Sequence, residues 1–271
     1  MLVLAAAFVL NIAVCFVYPD ISRLKKENPK KTAFMKYTEK RWKGKGIKRK
    51  VRRRWTGYSR ISPFLIKAVL IAEDDKFWSH DGFDIEGIEK ALEKNMKAKK
   101  FKAGGSTISQ QLAKNLYLSP SKSPVRKLKE AILTWRIEKN LSKRRILELY
   151  LNVAEWGDGI FGIEAASRHY YGKPGSALGP EEASKLAAVL PNPRKFNPLG
   201  SSRYVANRSR IIYRIMVRRG IVIERIEEEV AEMEQEGAEN TETPPPVEGP
   251  EEAGALIPLE EAPINEVPPA E

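Results

Sequence analysis

The sequence predicts a mainly α-helical fold, with one apolar helix at the N-terminus long enough to cross a membrane. Three observations carry this expectation. Between residues 62 and 218 apolar side chains recur at spacings of three and four, and alternation with a period of two is scarce. Helix-opening residues stand where those stretches begin, at Ser62-Pro63, Asp84, Gly104 to Ser106, Ser123-Pro124 and Ser142. Residues 1 to 18, MLVLAAAFVLNIAVCFVY, contain one polar side chain, Asn11.

The N-terminal run comes first. At ~1.5 Å per residue its length roughly matches the ~30 Å hydrocarbon core of a bilayer. No basic segment precedes it and no small-x-small cleavage site follows, so an uncleaved anchor over 1–18 is expected. Arg23, Lys25 and Lys26 follow directly, which by the positive-inside rule would leave the body cytoplasmic. Cys15 is the single cysteine, so no disulfide forms within the chain. Val14 precedes it, where a lipid-modified cysteine would follow a small residue. A buried, inert thiol is the expectation.

Residues 19–60 read as a basic, membrane-proximal connector. Nine of the fourteen residues from 41 to 54 are Lys or Arg. Such a run can be a solvated connector, or a patch for anionic lipid head groups beside the anchor. A third reading is nucleic-acid binding, with Trp42 and Trp55 stacking on bases.

The helical body spans 61–236. Ser62-Pro63 opens FLIKAVLIA, and Asp84 opens IEGIEKALEKNMKAKK. Gly104 to Ser106 open TISQQLAKNLYL, with Ser106 as cap. Ser123-Pro124 opens VRKLKEAILTWRIEKN, and Ser142 opens KRRILELYLNVA. Further helices are expected at 160–171, 180–190, 203–218 and 221–235. Residues 237–271 are rich in Pro and Glu and are expected to be disordered. Twelve Glu and no Lys or Arg lie in 231–271, so the net charge of +12 hides a body near +24. A body this basic should meet a polyanion: nucleic acid, an anionic membrane or a phosphorylated substrate.

Two segments could carry chemistry. In GGSTISQQLAKN (104–115), Thr107, Gln111 and Lys114 share one helix face. Above them, two glycines before the cap would leave backbone N–H groups open to an anion, as in a phosphate or sugar-phosphate site. An ordinary capped helix with a polar outer face fits the same spacing. In VRKLKEAI, Arg126 and Glu130 stand i, i+4, which fits a surface ion pair. It also fits half of a carboxylate pair, with Glu73 or Asp74 of EDDKFWSH (73–80) as the other half. His80 and His169 are the only histidines, which excludes the usual structural zinc patterns.

Four stretches in order resemble one family: EDDKFWSHDGFD (73–84), GGSTISQQLAKN (104–115), RKLKEA (126–131) and KRRILELYLNVAEWGDGIFGIEAASRHYYGK (143–173). They are similar to the family-51 peptidoglycan glycosyltransferases, which polymerise lipid II, over roughly residues 60 to 215. The resemblance implies a larger lysozyme-like lobe, a smaller membrane-proximal lobe and a cleft between them. It implies Glu73 as general base and Glu130 as the second catalytic glutamate. Glu130 would lie near the donor pyrophosphate and a divalent cation, Mg2+ by resemblance, for which it is the candidate ligand. The implied substrate-binding set is Asp74, Phe77, His80, Gly105, Ser106, Thr107, Gln111, Lys114, Asn115, Arg126 and Lys127. Within it Lys114 and Arg126 hold pyrophosphate, and Asp74, Phe77 and His80 support the site. Asp158 lies where relatives often have another residue, and Lys122 stands near an expected Arg.

The implied partners are lipid II, the growing undecaprenyl pyrophosphate-linked strand and anionic lipids, with no nucleic acid, and with cell-wall synthesis proteins as candidates. The implied site of action is the outer face of the plasma membrane, against the basic flank, and the resemblance takes precedence. No K-T-G element accompanies the isolated SPSK at 119–122, so a monofunctional enzyme is expected. Two other readings compete. One is a muramidase or lytic transglycosylase, and the other is a non-catalytic, membrane-tethered polyanion-binding protein.

Overall fold

In the computed structural model, residues 2–89, 93 and 105–223 are described. The expected acidic tail, the rest of the helix after Asp84 and residues 224–235 lie outside the described residues. The described residues belong to one compact unit, Met1–Glu224.

The N-terminal run forms α1 (Leu2–Ala13) and a 3-10 turn, Val14–Phe16. At its rise per residue α1 is about 18 Å long. Among the described residues no helix is long and apolar enough to cross a membrane. The continuous helix expected over 1–18 therefore ends early. Beyond α1, the Arg136 guanidinium donates to the oxygens of Cys15 (2.9 Å), Val17 (3.0 Å) and Pro19 (2.9 Å). Arg145 then donates to the oxygens of Leu24 (2.7 Å) and Glu27 (3.0 Å), and Arg53 to that of Lys30 (2.8 Å). Ile21 and Leu24 enter the core between these clasps.

α2 (Ala33–Gly44) starts at Thr32, whose hydroxyl accepts from the Met35 N–H at 3.2 Å. It buries Met35, Thr38 and Trp42. β1 (Arg52–Arg53) then joins a small sheet. The stretch expected as a connector is thus part of the folded body. Trp42 is 2% exposed and offers no face for a base to stack on. Its Nε1 donates to Asp158 at 3.3 Å, and Arg41 and Arg49 pair with the same carboxylate. Asp158, the departure noted in the sequence, thus helps to fasten the basic segment. Neighbouring Gly159 has φ +79°, and a Cβ there would sit 2.0 Å from the Trp42 ring.

α3 (Pro63–Glu73) begins on a proline whose missing N–H would have no helical partner. The Ser62 hydroxyl does not cap it and donates instead to the Leu178 oxygen at 2.7 Å. Residues 85–89 are helical. α4 (Ile108–Tyr117) follows, then α5 (Pro124–Asn140) and α6 (Lys143–Val153). Ser123 and Ser142 cap the last two as expected. β2 (Glu155–Gly157) and β3 (Ile160–Phe161) come next, and β3 lies between β1, parallel, and β2, antiparallel. α7 (Ile163–Tyr171) therefore starts later than residue 160. α8 (Pro180–Val189) and α9 (Arg203–Arg218) complete the set, and residues 221–223 are not helical.

Two helix groups share one core. α3 packs on α8 and α9, while α4 packs on α2, α5 and α6. Apolar periodicity decides which faces meet. In α4, Ile108, Leu112, Ala113 and Leu116 are buried, which turns Gln111 and Lys114 away from the centre.

Candidate active site

Glu73 is the last residue of α3 and stands where the two helix groups meet. Its Oε2 accepts from Nε2 of Gln111 on α4 at 2.8 Å. Its Oε1 lies 3.5 Å from Nη2 of Arg208 on α9. The amide of Gln111 is oriented from behind, because its Oε1 accepts from the Tyr150 hydroxyl at 3.1 Å. Burial pushes the Glu73 carboxyl above its ordinary pKa. The Gln111 hydrogen bond and the charges of Arg208 and Lys114 pull it part of the way back. Burial also pushes the Tyr150 phenol well up, with Glu73 adding to the effect, so Tyr150 remains a neutral donor. A carboxylate made more basic by desolvation, yet stabilised by donors, has the properties of a general base.

Asp74 turns the other way and closes the start of α4. Its Oδ2 accepts from the Ile108 N–H at 2.8 Å, and its Oδ1 from Nε2 of His80 at 2.9 Å. Nδ1 of His80 accepts from the Gly82 N–H at 3.0 Å, which assigns the ring hydrogen to Nε2. The cap of α4 is Thr107 and not Ser106. The Thr107 hydroxyl accepts from the Gln110 N–H at 3.2 Å, and Gln110 Oε1 accepts from the Thr107 N–H at 3.1 Å. Thr107 Oγ1 also donates to the Gly82 oxygen at 2.7 Å. The helix start expected to receive an anion is therefore already filled, by the Asp74 carboxylate and a capping box. Phe77 is fully buried, with the Lys143 ammonium 4.7 Å above its ring. Asp74, Phe77 and His80 form a frame beneath Glu73. Gly105 and Ser106 lie outside the cap and line a cavity with Ala72, Glu73 and Asp75.

Lys114 follows Gln111 on the same face of α4. Among the described residues its ammonium makes no salt bridge, and the centre of the Phe34 ring lies 5.8 Å from it. Burial lowers its pKa, with Glu130 opposing and Arg126 and Lys127 adding to the shift. Those three neighbours lie on α5. Glu130 is buried, and its two oxygens face Nη1 of Arg126 and Nζ of Lys127. Nε of Arg126 is buried without a hydrogen-bond partner among the described residues, an unusual state for a donor. Asn115 is buried and lines a second cavity with Phe34, Gln111, Lys114 and Arg194.

The expected Mg2+ has one candidate protein ligand here, Glu130. Among the described residues no group of three or more His, Cys, Asp or Glu could hold a metal ion. Glu130 already faces two cations, so a divalent ion there would need substrate phosphate oxygens to complete its shell. A cation arriving on pyrophosphate oxygens would belong to the substrate.

Three residues that the sequence did not single out join the site: Arg208, Tyr150 and Arg219. Arg208 Nη2 also donates to the Ala72 oxygen at 2.9 Å, and Arg219 holds both oxygens of Asp75, at 2.6 and 2.8 Å. A signal existed for Arg208. It sits between Val205 and Ile212 at spacings of three and four, on the stripe that α9 buries. Tyr150 had none, because a tyrosine within the apolar stripe of α6 reads as core.

Residues 41–217 match a family model described as Transglycosylase. Relatives named biosynthetic peptidoglycan transglycosylase are similar over most of their length. One from Azoarcus sp. (strain BH72) is 50% identical over 208 residues, 77% of this chain and 90% of that protein. One from Aromatoleum aromaticum is 50% identical over 217 residues, 79% and 94% of the two chains. One from Nitrosospira multiformis is 48% identical over 210 residues, 76% and 91%.

Proposed function

The chain belongs to the transglycosylase family and is a peptidoglycan glycosyltransferase, and from that premise we propose how its residues divide the work. Its substrates are lipid II and the growing glycan strand. Glu73 takes the proton from the 4-hydroxyl of the N-acetylglucosamine of lipid II. That oxygen bonds to the anomeric carbon of the strand with inversion, giving a β-1,4 link. The bond from that carbon to undecaprenyl pyrophosphate breaks, and its electron pair leaves with the diphosphate. Lys114, Arg126 and Lys127 offset the negative charge that develops. Glu130 is the residue that sets the two α5 cations.

One observation carries this reading. A single carboxylate, desolvated at a helix end, is held by Gln111 from one helix group and Arg208 from the other, with Lys114 close enough to act on its charge. The muramidase reading needs a second carboxyl kept as a proton donor. Glu130, engaged on both oxygens by cations, is poorly arranged for that role.

The chain is further proposed to work at the plasma membrane, with its body on the outer face. Exposed Phe8, Val9, Leu10 and Val17 support insertion of the N-terminal segment into lipid. The two helix groups support a larger and a smaller lobe. Exposed Lys and Arg of residues 41–54 support contact with anionic head groups.

The test is polymerisation of purified lipid II, read by thin-layer separation. Polymer with released undecaprenyl pyrophosphate is expected, and a drop of at least ~100-fold in rate for Glu73→Gln. Cleavage of preformed strands would favour the muramidase. Activity of Glu73→Gln within a few-fold of wild type would overturn the assignment of the base. Loss of function only on neutralising residues 41–54 would favour a non-catalytic polyanion binder.

A further inference from the structure

We propose that Arg208 is a positioning residue for Glu73, and that it selects Oε1 as the oxygen that receives the proton. The inference rests on the reading of Glu73 as the base. The two carboxylate oxygens are not equivalent. Oε2 is engaged by the Gln111 amide at 2.8 Å, a full-strength hydrogen bond. Oε1 faces Arg208 Nη2 at 3.5 Å, at the outer limit of such a bond. Oε1 therefore keeps acceptor capacity for a substrate hydroxyl, while the guanidinium still stabilises its charge.

The same Nη2 donates to the Ala72 carbonyl at 2.9 Å. That carbonyl is among the last of α3, where helical oxygens lack internal donors and the helix end favours a cation. One guanidinium thus references both the backbone before the base and the base itself to α9. Nε of Arg208 is buried and without a partner among the described residues. The head group is therefore held by packing and by its contacts at Ala72 and Glu73. Eleven residues on, Arg219 binds Asp75 through both oxygens, which ties the loop just past the base to the end of the same helix. α9 grips the chain on either side of Glu73.

Among the described residues, Asp75 and Asp84 line the same cavity as Glu73. Arg208 comes from α9, Lys114 from α4 and Tyr150 from α6, and Asp74 is adjacent in sequence. The Asp74 carboxylate is directed to Ile108 and His80. Arg208 is the cation in contact with the base. Once Glu73 is protonated, the neighbouring positive charge favours release of that proton, which prepares the base for the next cycle.

The test is the pH profile of lipid II polymerisation by the full chain in detergent. For Arg208→Gln, kcat is expected to fall by roughly 10- to 100-fold, the scale of a misplaced catalytic group, with little change in KM. Its acid limb should move to higher pH, because the base has lost a cation that favours its ionised form. Arg208→Lys should keep the acid limb near the wild-type position but recover only part of kcat, since an ammonium cannot hold Ala72 and Glu73 in one plane. Arg219→Ala should leave the acid limb in place. An unmoved acid limb in Arg208→Gln, or wild-type kcat in Arg208→Lys, would overturn the proposal. If Arg208→Gln does not fold, Arg208→Lys decides alone. Failure of this proposal is separable from failure of the underlying reading, because only an active Glu73→Gln would remove Glu73 as the base.

Discussion

Asp74 accepts the backbone N–H of Ile108 at 2.8 Å, so the carboxylate next to the base occupies the start of the helix that carries Gln111 and Lys114. The other Asp74 oxygen accepts from His80. Removing this carboxylate strands two buried donors. Asp74→Ala is expected to destabilise the protein by about 2–4 kcal/mol, and Asp74→Asn by less, since one acceptor oxygen survives. Urea unfolding measures both. A cost below ~1 kcal/mol for Asp74→Ala would show that the contact does not hold α4 in place.

Glu73 should trade stability for basicity. Its carboxyl titrates above the usual 4.5 in the folded protein because it is buried. Between that ordinary value and the raised one, the unfolded chain has released a proton that the folded chain still holds. Wild-type stability therefore falls as pH rises through this window. Glu73→Gln lacks the effect. The variant should melt at a higher temperature than wild type at pH 8, with the gap closing at pH 4. Equal melting curves at pH 8 would contradict a desolvated base.

Lys114 should set part of the alkaline limb of activity. Burial lowers its pKa, so its charge is lost at a lower pH than that of an exposed lysine. If that charge stabilises the departing diphosphate, activity declines as it is lost. Lys114→Arg keeps a positive charge through the alkaline range and should extend the limb to higher pH. A limb that stays in place would assign the alkaline decline to another group.

Arg136 should govern how firmly the N-terminal segment is held. Its guanidinium donates to three carbonyl oxygens, those of Cys15, Val17 and Pro19. Arg136→Ala is expected to speed tryptic cleavage at exposed Arg23, Lys25 and Lys26 by about tenfold, with a small change in global unfolding. Unchanged cleavage would place the grip elsewhere, at Arg145 or in the burial of Ile21 and Leu24.

Much of the local structure was legible in the residues. Pro63, Ser123 and Ser142 begin the helices that they were expected to begin, because a cap acts within four residues of its own position. The faces of α4 and α9 follow the apolar spacing for the same reason. The choice of Thr107 over Ser106 as cap was also local, because Gln110 stands three residues after Thr107, the spacing of a capping box. Two other features were not legible. The short β1 joins the sheet through β3, which lies over a hundred positions away. The helix expected over 1–18 ends at Ala13, where no Gly or Pro marks a stop.

By itself the sequence determined the helical periodicity, the caps, the basic body and the chemical types assembled at the site. Helix spacing alone puts Gln111 beside Lys114 and Arg126 beside Glu130. Only the tertiary structure decided that Glu73 meets Gln111 across 38 residues and Arg208 across 135, and that Asp74 fills the helix start. The reason is physical. Neighbours on one helix are fixed by a repeat of 3.6 residues, whereas neighbours on different helices are fixed by how buried faces pack, which no local spacing encodes.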